Sequence, residues 1–251
     1  VVVTFTDAAG NYSTCSATFT VNPSVAVNHA PSGADPTVVG TEDTAYTFTA
    51  ANFGFSDPND TPANTFLAVK ITTLPGAGSL KNKSAAVSAG QFISVTDINL
   101  GRLKFTPAAN ESGYTAFTFQ VQDNSGTTGG GVDLDPSPNT MTIQVTPVND
   151  APTWTTLPPS GSLTIDEGQF LTFTVQANPN DAGQTVTYSL VGTPPAGASI
   201  NPTTGVFTWT PNSTQGTANY SITFRATDVG SPTPNLSVDT TKVIRVRDVR
   251  R

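Results

Sequence analysis

The chain has 251 residues, only 12% of them charged, with 21 glycines, 20 prolines and a formal net charge of −7 from 18 acidic and 11 basic side chains. That length accommodates two domains with cores of their own, and the lack of basic clusters argues against nucleic acid as a partner. A single histidine and a single cysteine remove most catalytic triads and any internal disulfide, and no apolar run of about 18 residues is present to insert in a membrane.

In chain order, the first stretch is Val1-Val2-Val3-Thr4-Phe5-Thr6-Asp7, an alternating strand that ends on an acid. It turns through Ala8-Ala9-Gly10-Asn11 into a second alternating run with Cys15, Ala17, Phe19 and Val21 in phase. Period-two alternation with polar residues opposite suits a sheet with one wet face. Residues 1–25 read as the last two strands of an incomplete module, and the sequence as a piece of something larger. A linker follows, Val27-Asn28-His29-Ala30-Pro31, in which the proline fixes its own φ and biases Ala30 toward an extended conformation.

The first full module, 26–150, carries Thr41-Glu42-Asp43-Thr44 before the alternating Tyr46, Phe48 and Ala50, then the turn Asp57-Pro58-Asn59-Asp60. Later come Phe105-Thr106-Pro107, Gly113, and a strand with Phe117, Phe119 and Val121 in phase that ends on Asp123. The linker motif then recurs as Val148-Asn149-Asp150-Ala151-Pro152. The second module, 151–251, repeats the series: Ile165-Asp166-Glu167-Gly168, then Leu171, Phe173 and Val175, then Asn178-Pro179-Asn180-Asp181, Trp209-Thr210-Pro211, Gly216, and a strand ending on Asp228. The first module is longer through Lys83–Thr96 and the loop Ser125–Asn139. About seven short strands per module, with regular turn signals, predict an all-β chain of tandem antiparallel immunoglobulin-like β-sandwiches. Phe48, Phe119, Phe173, Phe224 and Trp209 are the expected core. Tyr220 sits where tyrosine corners occur, and Trp154, just after the linker, could pack on the preceding module instead of joining that core.

Strand parity converts the acids into a geometric expectation. In a seven-strand sandwich the first and fifth turns share one pole with the exiting linker, and the second and sixth turns share the other. Glu42, Asp43, Glu111, Asn149 and Asp150 from one module therefore meet Asn180, Asp181 and Asp228 from the next. A weaker upstream junction draws on Asn28, Asp57, Asn59, Asp60 and Asp123, joined by Asp133 or Asp135, with His29 where the other linker has Asp150. So many oxygen ligands suit a hard divalent cation, and calcium fits best outside a cell. The bland alternative is that Asp and Asn sit at strand ends because they form turns.

With those motifs quoted, residues 28–152 resemble the cadherin-like repeats of large bacterial surface and secreted proteins. Residues 153–248 resemble the bacterial immunoglobulin-like domain through Pro194-Pro195-Ala196-Gly197, Thr204-Gly205-Val206-Phe207 and Ala226-Thr227-Asp228, and residues 1–22 resemble the end of a hyalin repeat. The cadherin resemblance implies calcium at the same poles. The hyalin resemblance implies that Cys15 pairs with a cysteine on an earlier strand, and so an oxidising, extracellular setting for the parent protein.

The resulting expectation is a non-catalytic extracellular or cell-surface segment for structure or cell adhesion, a stalk braced by calcium and partnered by neighbouring repeat modules or subunits. Two alternatives accompany it. The loop Gly126–Pro138 could contact a glycan or cell-surface protein, or residues 1–22 could complete a sandwich in a neighbouring filament subunit by strand addition.

Overall fold

The computed structural model describes residues 2–18 and 27–249. Within them nearly all regular structure is β, and the one α-helix is the five-residue segment Val95–Asn99, with single 3-10 turns at Ala50–Phe53 and Thr128–Gly130. The helix lies in the longer part of the first module. Ser94 caps it, its hydroxyl accepting from the Asp97 N–H at 3.1 Å, and Ile98 is buried against the core.

Alternation governs the strand at the centre of the first module, Gly113–Asp123. Phe117, Phe119, Val121 and Asp123 turn inward and are buried, whereas the intervening Thr118, Gln120 and Gln122 are half-buried. This strand pairs with Asn139–Thr146 on one side and Phe66–Ile71 on the other, within a five-stranded sheet edged by Thr37–Thr41 and Phe92–Ser94. A second sheet runs Tyr46–Thr47, Leu103–Thr106, Ser79–Asn82, Ala85–Ala86. Both sheets contribute to one buried cluster that includes Phe48, Phe53, Phe105, Phe117 and Phe119. Phe48 meets Phe117 edge-on at 5.6 Å, and Phe53 meets Phe119 at 5.0 Å, the arrangement that ring quadrupoles favour.

The second module repeats the plan with smaller sheets. Its larger sheet runs Leu163–Asp166, Ser237–Arg247, Asn219–Val229, Thr185–Val191; the smaller runs Leu171–Thr174, Val206–Trp209, Ser199–Ile200. A ribbon of Thr153–Thr156 and Gln176–Asn178 stands at the linker end. Phe207, Phe224 and Trp209 are buried at its centre. Phe173 is less buried than expected: it is partly buried against that core, packed on Phe207 at 4.9 Å from the edge strand of its sheet. Trp154 stacks on Tyr188 at 6.3 Å and joins this module's own core, not the preceding module's, because the ribbon turns it inward. The Tyr220 hydroxyl donates to the Gln215 carbonyl at 3.1 Å, the corner expected at that position.

In each module one pair departs from the antiparallel rule. Thr37–Thr41 runs parallel to Asn139–Thr146, with Thr41 opposite Thr146, and Leu163–Asp166 runs parallel to Ser237–Arg247. The N-terminal segment is a separate hairpin, Val2–Thr6 with Tyr12–Ser16, in which Val3 faces Cys15. Asp7 holds its turn by accepting from the N–H groups of Ala9 and Asn11 at 2.8 and 2.9 Å. Phe19 and Val21, expected to lengthen the second strand, lie outside the described residues.

The inward phase yields a direct check. Phe119→Ala and Phe224→Ala, each emptying a fully buried site, should destabilise their own module by about 3–5 kcal/mol in denaturant titration. Phe173→Ala should cost less, because its ring is only partly buried; equal losses at all three positions would contradict the assigned rim.

Candidate metal centre

The parallel pairing of first and last strands fixes the site. Because Thr41 lies beside Thr146, the next residue, Glu42, lies beside the start of the linker: its N–H donates to the Thr146 carbonyl at 2.9 Å. Its side chain is 1% exposed, and Oε2 accepts from the Val148 N–H at 3.0 Å. Two residues further along the linker, the Asp150 N–H donates to Asp181 Oδ2 at 2.9 Å. Carboxylate oxygens of Glu42, Asp150 and Asp181 thereby come within 4.8 Å of one another, one from the first module, one from the linker and one from the second module.

Two of these oxygens, Glu42 Oε1 and Asp150 Oδ2, are buried and accept no hydrogen bond. Burial pushes the carboxyl of Glu42 above its ordinary range, and the charges of Asp181, Asp43 and Asp150 push the same way against the Val148 hydrogen bond. Burial likewise raises Asp150, reinforced by Asp43 and Asp181. Three converging carboxylates, two of them with stranded oxygens, are a costly arrangement unless something positive sits among them. The donors are all hard oxygens, so the residues present fit calcium.

The other expected residues take different places. Asp43 is exposed with a left-handed φ of 58°, and its charge bears on Glu42 and Asp150. Glu111 is exposed in its turn, beside Pro107, Gly113 and Tyr114, and is outside the converging set. Asn180 grips the linker: its Nδ2 donates to the Ala151 carbonyl at 2.7 Å, and its Oδ1 accepts from Thr153. Asn149 and Asp228 are spent on each other. Asn149 Nδ2 donates to Asp228 Oδ2 at 3.2 Å and to the Pro234 carbonyl at 2.6 Å, while Gln184 donates to Asn149 Oδ1. Gln184 and Pro234 were not anticipated; they carry no charge and no motif that singles them out.

The upstream pole is built on the same lock. Asn28 Nδ2 donates to both oxygens of the fully buried Asp123 at 3.1 Å and to the Val132 carbonyl at 2.9 Å, and Asn64 donates to Asn28 Oδ1. Gly131 permits this, since a Cβ there would come within 2.8 Å of the Asn28 Cβ. The His29 N–H donates to Asp60 Oδ2 at 3.1 Å, matching the Asp150–Asp181 contact. Asn59 is exposed. Asp135 serves its own loop, accepting from the N–H groups of Gly33 and Ser137 and from Asn139, and Asp133 accepts from Gln122.

Comparison with known proteins agrees with this architecture. Residues 27–135 match the family model described as Cadherin-like domain, and residues 151–246 match the one described as Putative Ig domain. Human Protocadherin-16 is 29% identical over 180 residues, which is 67% of this chain and 5% of that protein's length. In structure the chain is similar to mouse Cadherin-23 EC22-24, with a TM-score of 0.52 and 20% identity over 88% of this chain and 65% of that one. It is similar also to human CDH23 EC21-23, with a TM-score of 0.53 and 20% identity over 86% of this chain and 69% of that one. At such identities the likeness is one of fold. No helix among the described residues is long and apolar enough to cross a membrane.

The strained carboxylates predict a pH dependence of definite sign. Glu42 and Asp150 have folded-state pKa values above their ordinary 4.5 and 3.8, so the folded state holds protons that the unfolded state has released. Without divalent cations, stability should therefore fall as pH rises from those ordinary values through the raised ones. In chelator, Asp150→Asn should melt above the parent protein at pH 7, and the difference should close as pH approaches 4. A variant that melts lower at pH 7 would show that the carboxylates do not repel.

Proposed function

We propose that the chain is a non-catalytic structural or adhesion segment of an extracellular protein, in which two sandwich modules, 26–150 and 151–251, are held in line by calcium at their junction. Glu42, Asp150 and Asp181 would hold the ion, with Asp43 adding charge and Asn149, Asn180 and Asp228 fixing the linker that presents Asp150. Residues 1–25 would then be the end of a preceding module of hyalin type, and neighbouring modules are the first partners.

The observation that carries this reading is the convergence of three carboxylates from three successive parts of the chain, two of them with buried oxygens that accept nothing. Turn-forming acids explain neither the convergence nor the burial. The matches to cadherin-like and immunoglobulin-like models support it, since such repeats are typical of extracellular adhesion proteins. The chain spans 5% of the length of Protocadherin-16, so the activity of the whole parent protein is not drawn from that likeness.

When bound, the ion supplies positive charge that offsets the repulsion among the three carboxylates. The protein's own groups do the rest. Asn149, gripped by Asp228, Pro234 and Gln184, fastens the linker to the second module, and the Asp150 N–H held by Asp181 aims its carboxylate at Glu42. The hydrophobic clusters lie inside the modules, away from this pole, so removing the ion should free the junction and leave both sandwiches folded.

Extracellular calcium modules bind with Kd on the order of 10⁻⁴–10⁻³ M. At about ten times Kd, binding stabilises the liganded form by roughly 1.4 kcal/mol, enough to shift a junction equilibrium about tenfold. Small-angle scattering of residues 26–251 should show a longer, narrower particle in calcium than in chelator, and Asp150→Ala in calcium should resemble the chelated protein. An unchanged maximum dimension, together with no heat of binding at millimolar calcium, would leave these acids as turn formers.

A further inference from the structure

The two modules share a strand plan, and at one place the first has much less side chain to fill it. Tyr46 beside Phe105 corresponds to Leu171 beside Trp209, and Thr115 opposite Ile143 corresponds to Tyr220 opposite Ile244. In the second module the Tyr220 ring packs edge-on against Trp209 at 5.1 Å, and its hydroxyl donates to the Gln215 carbonyl at 3.1 Å. The indole is held in turn, Nε1 donating to the Ala196 carbonyl at 3.1 Å. In the first module the same two positions hold Thr115 and Phe105, so a phenol is lost and an indole shrinks to a phenyl ring.

The residues nearby do not take up that space. Thr115 is turned to the neighbouring loop, its hydroxyl accepting from the Ala77 N–H at 3.3 Å. Tyr114 takes the other face of the strand and is 73% exposed. An open pocket remains, walled by Phe105, Pro107, Gly113, Thr115 and Val145, with the exposed Glu111 and Tyr114 at its mouth. A Cβ added to Gly113 would meet nothing within 4 Å. The turn that supplies the carbonyl acceptor is nevertheless kept: the Glu111 N–H closes on the Ala108 carbonyl at 3.3 Å, as the Gln215 N–H closes on that of Asn212 at 3.0 Å.

We infer that this slot receives a tyrosine side chain from a partner protein, one with a basic residue beside that tyrosine. The second module shows what the space takes: a phenol whose ring lies on the aromatic wall and whose hydroxyl donates to the turn carbonyl, here that of Glu111. Tyrosine suits such a place, because it presents an apolar body and a polar tip and loses little rotamer freedom on docking. Charge complementarity selects its neighbour. Glu111 is the one charged residue that lines the pocket, and its exposed carboxylate stands at the mouth, where a lysine or arginine next to the incoming tyrosine would lie. The slot uses none of Glu42, Asp150 and Asp181, so its test is independent of the junction reading.

The test titrates the full chain, labelled for amide NMR, with tyrosinamide, phenylalaninamide and N-acetyltyrosine in turn. Tyrosinamide should shift the amides of Gly113, Thr115 and Val145 saturably and leave those of Ala218, Tyr220 and Val246, at the filled counterpart, unmoved. Phenylalaninamide, which lacks the hydroxyl, should bind about threefold to tenfold more weakly. N-acetyltyrosine, which brings a carboxylate to the mouth, should bind about twofold to fivefold more weakly than tyrosinamide, and Glu111→Gln should erase that difference. Thr115→Tyr should fill the slot from within, abolish the shifts and raise the melting temperature of the first module. Glu111→Gln alters an exposed side chain only, so the charge preference stays measurable even if Thr115→Tyr does not fold. No saturable shift at Gly113, Thr115 and Val145, or binding that a folded Thr115→Tyr leaves unaltered, would overturn the inference. Self-association of the chain that Tyr114→Ala abolishes would give the slot to a second copy and overturn the assignment to a separate partner.

Discussion

Much of this structure depends on one constraint, the parallel pairing of the first strand of each module with the last. Thr37–Thr41 beside Asn139–Thr146 forces the residue after the first strand to the pole where the chain leaves. Glu42 thus meets Val148 across 106 positions of sequence. Glu167 is placed in the same way in the second module, its N–H donating to the Arg247 carbonyl. A purely antiparallel first strand would run the other way and carry its following turn to the opposite end. The acidic cluster is a consequence of strand direction before it is a matter of ligand chemistry.

The second element is the buried pairing of a linker asparagine with a strand-end aspartate, made once at Asn28 and Asp123 and again at Asn149 and Asp228. Both aspartates are fully buried, and both also accept a backbone N–H from their own turn, Ser125 and Leu236. Buried carboxylates are tolerable when their lone pairs are satisfied, and here they are. The lock makes each linker part of the module that follows it. What joins the linker to the module before it is much thinner: at the second junction, the Glu42 contact and the charge that gathers there.

The sequence exposed the sandwich readily, because inward and outward residues alternate without interruption over Phe117–Asp123 and Ile222–Asp228, and the buried aromatics fall in that phase. It failed at Phe173 for a geometric reason: alternation reports which face a residue takes, not how near the rim it lies. The helix Val95–Asn99 was hidden because one turn and a half leaves no detectable period, and a serine cap is a weak signal in a chain rich in hydroxyl residues. In the site, polarity at the poles was legible from strand parity, which brought Glu42, Asp150 and Asp181 forward together. Parity places residues at an end of the sandwich but does not say which side chains turn toward one another. Asn149 and Asp228 therefore stood among the ligands although they bond to each other, and the amides of Gln184 and Asn64 went unnoticed because an uncharged turn residue looks like any other.

The parallel first and last strands also bear on how the molecule would respond to tension. A pull on the two ends of the first module draws Thr37–Thr41 toward one pole and Asn139–Thr146 toward the other, along the strand axis. Five opposed residue pairs, from Thr37 and Thr142 to Thr41 and Thr146, then slide against each other and resist together, whereas a hairpin pulled open at its ends parts one pair at a time. The second module presents the same geometry over four pairs, from Leu163 and Ile244 to Asp166 and Arg247. Loaded this way, each module is a shear clamp, and its resistance to force is set by that short ladder more than by the size of its hydrophobic interior.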